Sequence, residues 1–168
     1  MRKQNYFFLL FISILLYHNV EAQSLSKQNK NKSSAGGPPT RQELLGFWKI
    51  VEWPSAKLNK VNPWPMPYQW FSFYEDGRFC SMMNSTDAQY TTTQLDEVFS
   101  IFKTPPRFNY LGQFIEVTNP EIQGYKEIWG VNLFAEDVGS YVKKGDLMMT
   151  LAGEDGGVIY YRLLRKVE

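Results

Sequence analysis

The chain has 168 residues, with 18 basic and 17 acidic side chains, one histidine (His18) and one cysteine (Cys80). This composition excludes a Ser–His–Asp triad and histidine metal ligands after residue 18, and it excludes an intramolecular disulfide. We therefore expect a non-enzymatic protein with no metal and no cofactor. Cys80 lies within a strand-like run, and we interpret it as a small buried side chain.

The first 22 residues have the three-part layout of a secretory signal peptide. Arg2 and Lys3 precede an apolar run over residues 6–17, and Val20 and Ala22 place small residues at the positions that signal peptidase reads. The apolar run is shorter than the ~20 residues that a membrane-spanning helix needs. We predict cleavage after Ala22 and a secreted or periplasmic protein with no transmembrane segment. No cysteine follows the cleavage point to accept a lipid.

Residues 23–40 are predicted to be a disordered linker, because they are rich in Ser, Asn, Lys and Gln and end in Ala-Gly-Gly-Pro-Pro. The folded domain then spans residues 41–168, a length that suits one hydrophobic core. Removing residues 1–22 removes two basic and one acidic side chain, which leaves 16 of each. From Gln42 onward there are 12 basic and 16 acidic side chains, so the domain itself is mildly acidic and is not expected to bind nucleic acid.

Strand patterns dominate the domain. In chain order, the predicted strands cover residues 46–53, 69–74, 78–83, 107–110, 113–118, 124–134, 146–152 and 158–167. The second and third strands flank Glu75-Asp76-Gly77, which predicts a β-hairpin. In that hairpin Phe71 and Phe73 share one face and Phe79 joins them across the pair.

One segment has helical spacing. Leu95, Phe99 and Phe102 predict a short amphipathic helix over residues 93–103, with Thr93 as its N-cap. We expect Phe99 and Phe102 to close the end of the sheet or barrel. A mobile lid is the alternative interpretation.

About eight consecutive antiparallel strands favour an all-β fold, an up-and-down β-barrel with one short helix. Closure of the sheet into a barrel removes the strand edges that would otherwise be exposed. A β-sandwich is the alternative. The interior of an eight-stranded barrel is either filled by side chains or holds one small ligand.

Three short motifs resemble those of lipocalin-like domains, calycin-type barrels, and in particular of small bacterial ones. They are residues 44–51 (LLGFWKIV), residues 73–79 (FYEDGRF) and residues 161–165 (YRLLR). The resemblance covers the domain from end to end. It implies that Trp48 packs at the closed end of the barrel under Arg165, or under Arg162 in another strand register. A guanidinium stacked on an indole contributes roughly 0.5–2 kcal/mol. The position of the helix, in the middle of the barrel sequence, implies a divergent member.

Strand alternation places an apolar and aromatic set of side chains where they would line the barrel. The candidate ligand-binding residues are Trp48, Ile50, Trp64, Tyr68, Trp70, Phe71, Phe73, Phe79, Tyr125, Trp129 and Met149. The alternative is that these side chains simply form the core. Glu52 and Glu127 share the same faces, and we expect both to face solvent near strand ends because a buried carboxylate needs a partner. We predict a secreted lipocalin-like protein that holds a small hydrophobic or amphipathic ligand in its barrel.

Two further functions remain open. Alternating prolines stiffen residues 62–70 (NPWPMPYQW), so Trp64, Tyr68 and Trp70 could be displayed to a carbohydrate or protein partner by an interaction module with a filled barrel. The same loop could instead fold over the open end of the core. The second alternative is a barrel isomerase or cyclase that works with Glu and Tyr and without histidine.

Overall fold

Eight antiparallel strands form one sheet that curls into a nearly closed barrel in a computed structural model of the chain. The structure describes residues 36–51, 66–153 and 157–168, which belong to one compact unit, Ser34–Glu168. The elements, in chain order, are α1 (Arg41–Leu44), β1 (Gly46–Ile50), β2 (Tyr68–Phe73), β3 (Phe79–Asn84), α2 (Thr92–Ser100), β4 (Arg107–Tyr110), β5 (Phe114–Thr118), β6 (Lys126–Leu133), β7 (Leu147–Ala152) and β8 (Val158–Lys166).

The strands follow an up-and-down order. Successive strands pair along the chain and β1 also pairs with β8, which gives the sheet order β3-β2-β1-β8-β7-β6-β5-β4. The circle closes between β3 and β4 through an isolated bridge from Arg78 to Arg107, beside which the Phe79 amide donates to the Pro106 carbonyl at 2.8 Å. The predicted up-and-down barrel is confirmed, and the alternative β-sandwich is wrong because a single sheet closes on itself.

The β2–β3 hairpin forms around the turn that the sequence indicated. Gly77 has φ +84°, a left-handed conformation that favours glycine, and the Asp76 carboxylate accepts a hydrogen bond from the Arg78 amide at 3.0 Å. Phe73 pairs directly with Phe79, and their ring centroids are 5.0 Å apart. The Phe71 ring lies 6.1 Å from Phe79, so the predicted aromatic face is confirmed.

The inward faces of the later strands also follow the predicted alternation. Trp129 and Val131 of β6 pair with Leu151 and Met149 of β7, and Leu147 continues the same face. These side chains belong to one hydrophobic core that fills the barrel, together with Leu44, Trp48, Phe71, Phe73, Phe79, Phe108, Ile115, Val117, Tyr160 and Leu164. The strand period of two therefore separates core from surface throughout this half of the sheet.

Helix α2 packs on the outside of the barrel and does not close its end. Phe99 is fully buried and stacks on Phe47, with ring centroids 6.3 Å apart and planes 9° apart. Phe47 neighbours Trp48 in β1, so it points to the opposite, outer face. Phe99 and Leu95 form a second hydrophobic cluster with Trp70 and Cys80 there. The expected closure by Phe99 and Phe102 is therefore wrong, and Phe102 is 42 % exposed.

The N-terminal boundaries of α2 and of the domain differ from those predicted. Thr91, rather than Thr93, caps α2, and its side chain forms a capping box with Gln94. Before β1, the Thr40 hydroxyl caps α1 and the Gly37 carbonyl accepts a hydrogen bond from the Leu133 amide at 2.8 Å. Residues 36–40, predicted as the end of a linker, are thus part of the domain.

Several sequence predictions lie outside the described residues. They are the signal peptide (1–22), the linker up to residue 35, Glu52 and Trp53 of the first predicted strand, and Trp64 of the proline-rich loop. Among the residues that the structure describes, no helix is both long and apolar enough to cross a membrane.

Candidate functional site

Most of the aromatic side chains proposed as ligand contacts pack against one another inside the barrel. Trp48, Phe71, Phe73, Phe79, Trp129 and Met149 are all at least nine-tenths buried and share one core cluster. Ile50 is partly buried against it. Since their surfaces are already covered by neighbouring side chains, these residues form the core, which was the alternative interpretation of the pattern.

Trp48 is held by a lysine, not by an arginine. The indole nitrogen donates to the Leu44 carbonyl at 2.8 Å, and the Lys166 ammonium lies 5.2 Å from the ring centroid. Trp48 pairs with Lys166 across β1 and β8, and Arg165 pairs with Lys49. A shift of one residue moves a side chain to the other face of the sheet, so Arg165 faces outward. The predicted stacking of Arg165 or Arg162 on Trp48 is corrected accordingly.

Arg162 is an inward-facing cation buried in the barrel. It pairs with Met149 across β7 and β8 and is 4 % exposed. Its guanidinium carbon lies 4.3 Å from the Trp129 ring centroid and 4.7 Å from that of Phe71. Burial lowers the pKa of Arg162 to about 10, and its electrostatic interactions with Tyr160 and Glu127 partly offset this effect. Arg162 is therefore charged at neutral pH, and the aromatic faces around it stabilise that charge within the barrel.

Glu127 contacts the same cluster instead of facing solvent. Its carboxylate accepts a hydrogen bond from the Trp129 indole at 2.9 Å. Burial raises the pKa of Tyr125, and a hydrogen bond to Glu127 raises it further. The sequence prediction that Glu127 faces solvent is wrong, because the Trp129 indole supplies the partner that a partly buried carboxylate needs.

A half-open groove of about 1160 Å³ lies along β1 and β8 in the described part of the chain, with outward-facing side chains on its floor. We call it the β1–β8 groove. Trp70, Lys49 and Arg165 form a row across its floor, since Lys49 pairs with Trp70 on one side and with Arg165 on the other. One wall is formed by Asp87, Gln89 and Tyr90, and the other by residues 143–146.

The aromatic end of the groove lies on the β2 side. The Tyr90 ring meets Trp70 edge to face, with centroids 5.1 Å apart, and Tyr68 lines the same end. Ile50 and Tyr160 also line the groove. Two of the predicted ligand contacts, Ile50 and Tyr68, are therefore brought together here as partly buried side chains, and Tyr68 lies on the outer face of the sheet. Trp70 lies on the same outer face but is fully buried.

The opposite end of the groove is basic. The floor of the groove carries two ion pairs. Lys49 pairs with Asp87 at 2.5 Å beside Trp70, and Arg165 pairs with Asp146 at 2.7 Å at the basic end. The groove is lined by five basic side chains (Lys49, Lys143, Lys144, Arg165 and Lys166) and three acidic ones (Asp87, Asp146 and Glu168). The net charge of these lining side chains, five positive less three negative, is +2. The region from Gln42 onward has 12 basic and 16 acidic side chains, so the groove is an electropositive site on an acidic domain.

Asp146 organises the basic end. Its carboxylate belongs to a residue that is 1 % exposed, and it accepts hydrogen bonds from Arg165 Nε at 2.8 Å, from an Arg165 terminal nitrogen at 2.7 Å and from the Lys143 amide at 2.7 Å. Nearby, Asp137 accepts from the Lys143 ammonium and the Lys144 amide, and the latter bond is the main reason why the pKa of Asp137 is lowered. These contacts fix the backbone from which Lys143 and Lys144 project.

No group of three potential ligands from His, Cys, Asp and Glu comes together in residues 36–51, 66–153 and 157–168. Cys80 is 1 % exposed on the outer face of β3, under α2, and burial raises the pKa of its thiol to about 11. Its sulfur is therefore protonated at neutral pH, which suits the predicted structural role.

None of the known family models, curated proteins and solved structures compared with this chain matches it. The geometry of the barrel and its groove therefore carries the functional interpretation.

Sequence reasoning missed the basic side of the groove. The sequence indicates Lys143 and Lys144 only as part of a turn, and Lys49 only as a position in the first strand. The concentration of five of the 12 basic side chains from Gln42 onward at one site is visible only once three strands and two loops are assembled.

Proposed function

We propose that this chain is a secreted, non-enzymatic binding protein of the lipocalin-like kind, and that its small amphipathic ligand occupies the β1–β8 groove. The observation that carries the proposal is the groove itself, about 1160 Å³ in volume, with aromatic side chains at one end and lysines at the other. Small-molecule sites are typically concave, partly apolar and supplied with a few polar groups.

The filled barrel supports a ligand outside it. Core side chains such as Trp129, Met149 and Leu147 are fully buried against one another, so they have no exposed surface that a ligand could contact. Tyr68 and Tyr90, by contrast, are only partly buried and line the groove. The apolar part of a ligand would cover these two rings and the exposed edge of Ile50.

Native mass spectrometry of the full chain, purified from a host that secretes it, tests this function. We expect a retained small molecule that solvent extraction releases, and a Tyr68→Ala/Tyr90→Ala variant that loses it. Tyr141→Ala is the matched control, since Tyr141 is exposed and lies outside the groove. Retention that persists in the Tyr68→Ala/Tyr90→Ala variant would place the ligand elsewhere and overturn the proposal. So would a protein that carries and binds nothing.

A further inference from the structure

The two ends of the β1–β8 groove differ in chemistry, and this difference specifies a ligand class. Trp70, Tyr68 and Tyr90 lie at the β2 end, and Lys143 and Lys144 project at the other end from the loop before β7. In the row that joins the ends, the Lys49 ammonium lies 5.6 Å from the Trp70 ring centroid, and Arg165 lies on the other side of Lys49. A ligand that spans the groove would meet rings first and ammonium groups last.

The two cations on the floor of the groove are ion-paired, so Lys143 and Lys144 in the wall are the basic groups that face a ligand. Lys49 is engaged by Asp87, and Arg165 by Asp146, so these two cations are locally neutralised. Lys143 reaches only the exposed Asp137, in a pair of 49 % and 54 % exposed side chains, and such pairs contribute little. Within the described ranges, Lys144 forms no ion pair. Lys166 also forms no ion pair there, but its ammonium lies 5.2 Å from the Trp48 ring centroid and donates to the Glu43 carbonyl at 3.0 Å. The charge available to a ligand is therefore concentrated at residues 143 and 144.

We propose that the ligand carries an oxyanion, a carboxylate, phosphate or sulfate, that binds Lys143 and Lys144 while its apolar or aromatic body lies on Tyr68 and Tyr90. This assignment rests on the proposed function of the groove and adds the chemical class of the ligand. Lys143 and Lys144 are both exposed, so their attraction for an oxyanion is a Coulomb interaction that added salt screens. The buried Asp146 accepts a hydrogen bond from the Lys143 amide, and Asp137 accepts one from the Lys144 amide, so the backbone that carries both lysines is held in place.

A pair of probes that differ only in charge tests the assignment. We expect 8-anilinonaphthalene-1-sulfonate to bind the full chain at one site and at least ~10-fold more tightly than N-phenyl-1-naphthylamine, which has the same rings without the sulfonate. A Lys143→Ala/Lys144→Ala variant should lose at least ~10-fold in affinity for the sulfonate and keep its affinity for the neutral probe. Added salt should weaken only the sulfonate complex.

Lys126→Ala is the matched control. Lys126 is an exposed lysine of β6 outside the groove, and its substitution should change neither affinity. An unchanged urea midpoint in all variants shows that the fold is intact. Equal affinity for the two probes, or an effect of the double variant no larger than that of Lys126→Ala, overturns the oxyanion assignment while the groove still binds. If neither probe binds, the proposed function itself fails.

Competition identifies which oxyanion the lysines prefer. Decanoate, decyl phosphate and decyl sulfate share one chain and differ in the headgroup. The compound that displaces the sulfonate probe at the lowest concentration names the preferred group, and failure of all three to displace it contradicts the proposal.

Discussion

Lys49 and Arg165 lie directly opposite each other on β1 and β8, and each cation is held by a different carboxylate, Asp87 and Asp146 respectively. Like charges that face each other across a strand pair are unfavourable. The carboxylates of Asp87 and Asp146 reduce the repulsion between these two cations. The row of charges on the floor of the groove is therefore maintained by residues outside the strands.

Asp146→Asn tests that dependence. The substitution keeps the shape of the side chain but removes the charge that accepts two hydrogen bonds from Arg165, and hydrogen bonds to charged groups contribute about 1.5–3 kcal/mol. We expect the free energy of unfolding in urea to fall by about 2 kcal/mol. Glu116→Gln, which breaks the surface pair with Lys126, should cost less than about 1 kcal/mol. Equal losses in the two variants would show that burial of Asp146 is unimportant.

Alanine substitutions of Phe99 and Phe102 are expected to lower the free energy of unfolding by very different amounts. Phe99 is fully buried between α2 and Phe47, so Phe99→Ala should lower the free energy of unfolding by about 3–5 kcal/mol. Phe102 follows the helix and is 42 % exposed, and Phe102→Ala should cost less than half as much. Urea denaturation of both variants measures the difference. Similar values would contradict the placement of α2 against the outer face.

The capping residue of α2 can be identified by two threonine substitutions. Thr91→Ala removes the side chain that accepts a hydrogen bond from the Gln94 amide, and loss of such a cap costs about 1 kcal/mol. Thr93 is an exposed residue inside the helix, where alanine has the better helix propensity, so Thr93→Ala should be neutral or slightly stabilising. Thermal unfolding followed by circular dichroism compares them, and a larger loss for Thr93→Ala would restore the cap predicted from sequence.

Cys80 provides a pH-dependent test of the second hydrophobic cluster, which lies between α2 and the sheet. Burial raises the pKa of its thiol from 9.0 to about 11, so the folded protein keeps the proton at a pH where the unfolded chain loses it. The contribution of the thiol to the free energy of unfolding is therefore fully present below pH 9, and it is lost as the pH rises through about 11. The stability difference between the protein and Cys80→Ala should shrink over that window. In addition, an aromatic disulfide reagent at about pH 8 should label Cys80 only after urea is added. Rapid labelling of the folded protein would contradict its burial.

Local patterns predicted the barrel well because strands and turns are specified by neighbouring residues. The 107–110 strand was predicted at its observed bounds, and the Asp76-Gly77 turn placed Phe79 beside Phe73 as found. Alternation also identified the inward face of β7, since period two is a property of one strand alone. None of these predictions needed knowledge of a strand that is distant in the sequence.

Predictions that depended on register or on distant segments were less successful. A register difference of one residue decides whether Arg165 or Lys166 shares a face with Trp48, and the sequence of either strand leaves that choice open. Helical spacing identified Phe99 as a buried position but could not say which face of the sheet it covers. The groove needed β1, β2, β8 and two loops in place before its charge became apparent.

The short junction between β3 and β4 indicates where the chain can be cut or extended with the least effect on the sheet. Seven strand interfaces are built as full ladders, whereas these two strands meet at the Arg78–Arg107 bridge. Residues 101–104, which lead from α2 toward that junction, are exposed and belong to none of the ladders. Circular permutation or domain insertion at this point would preserve every complete strand pairing, which makes it the natural position for new termini or a fused reporter.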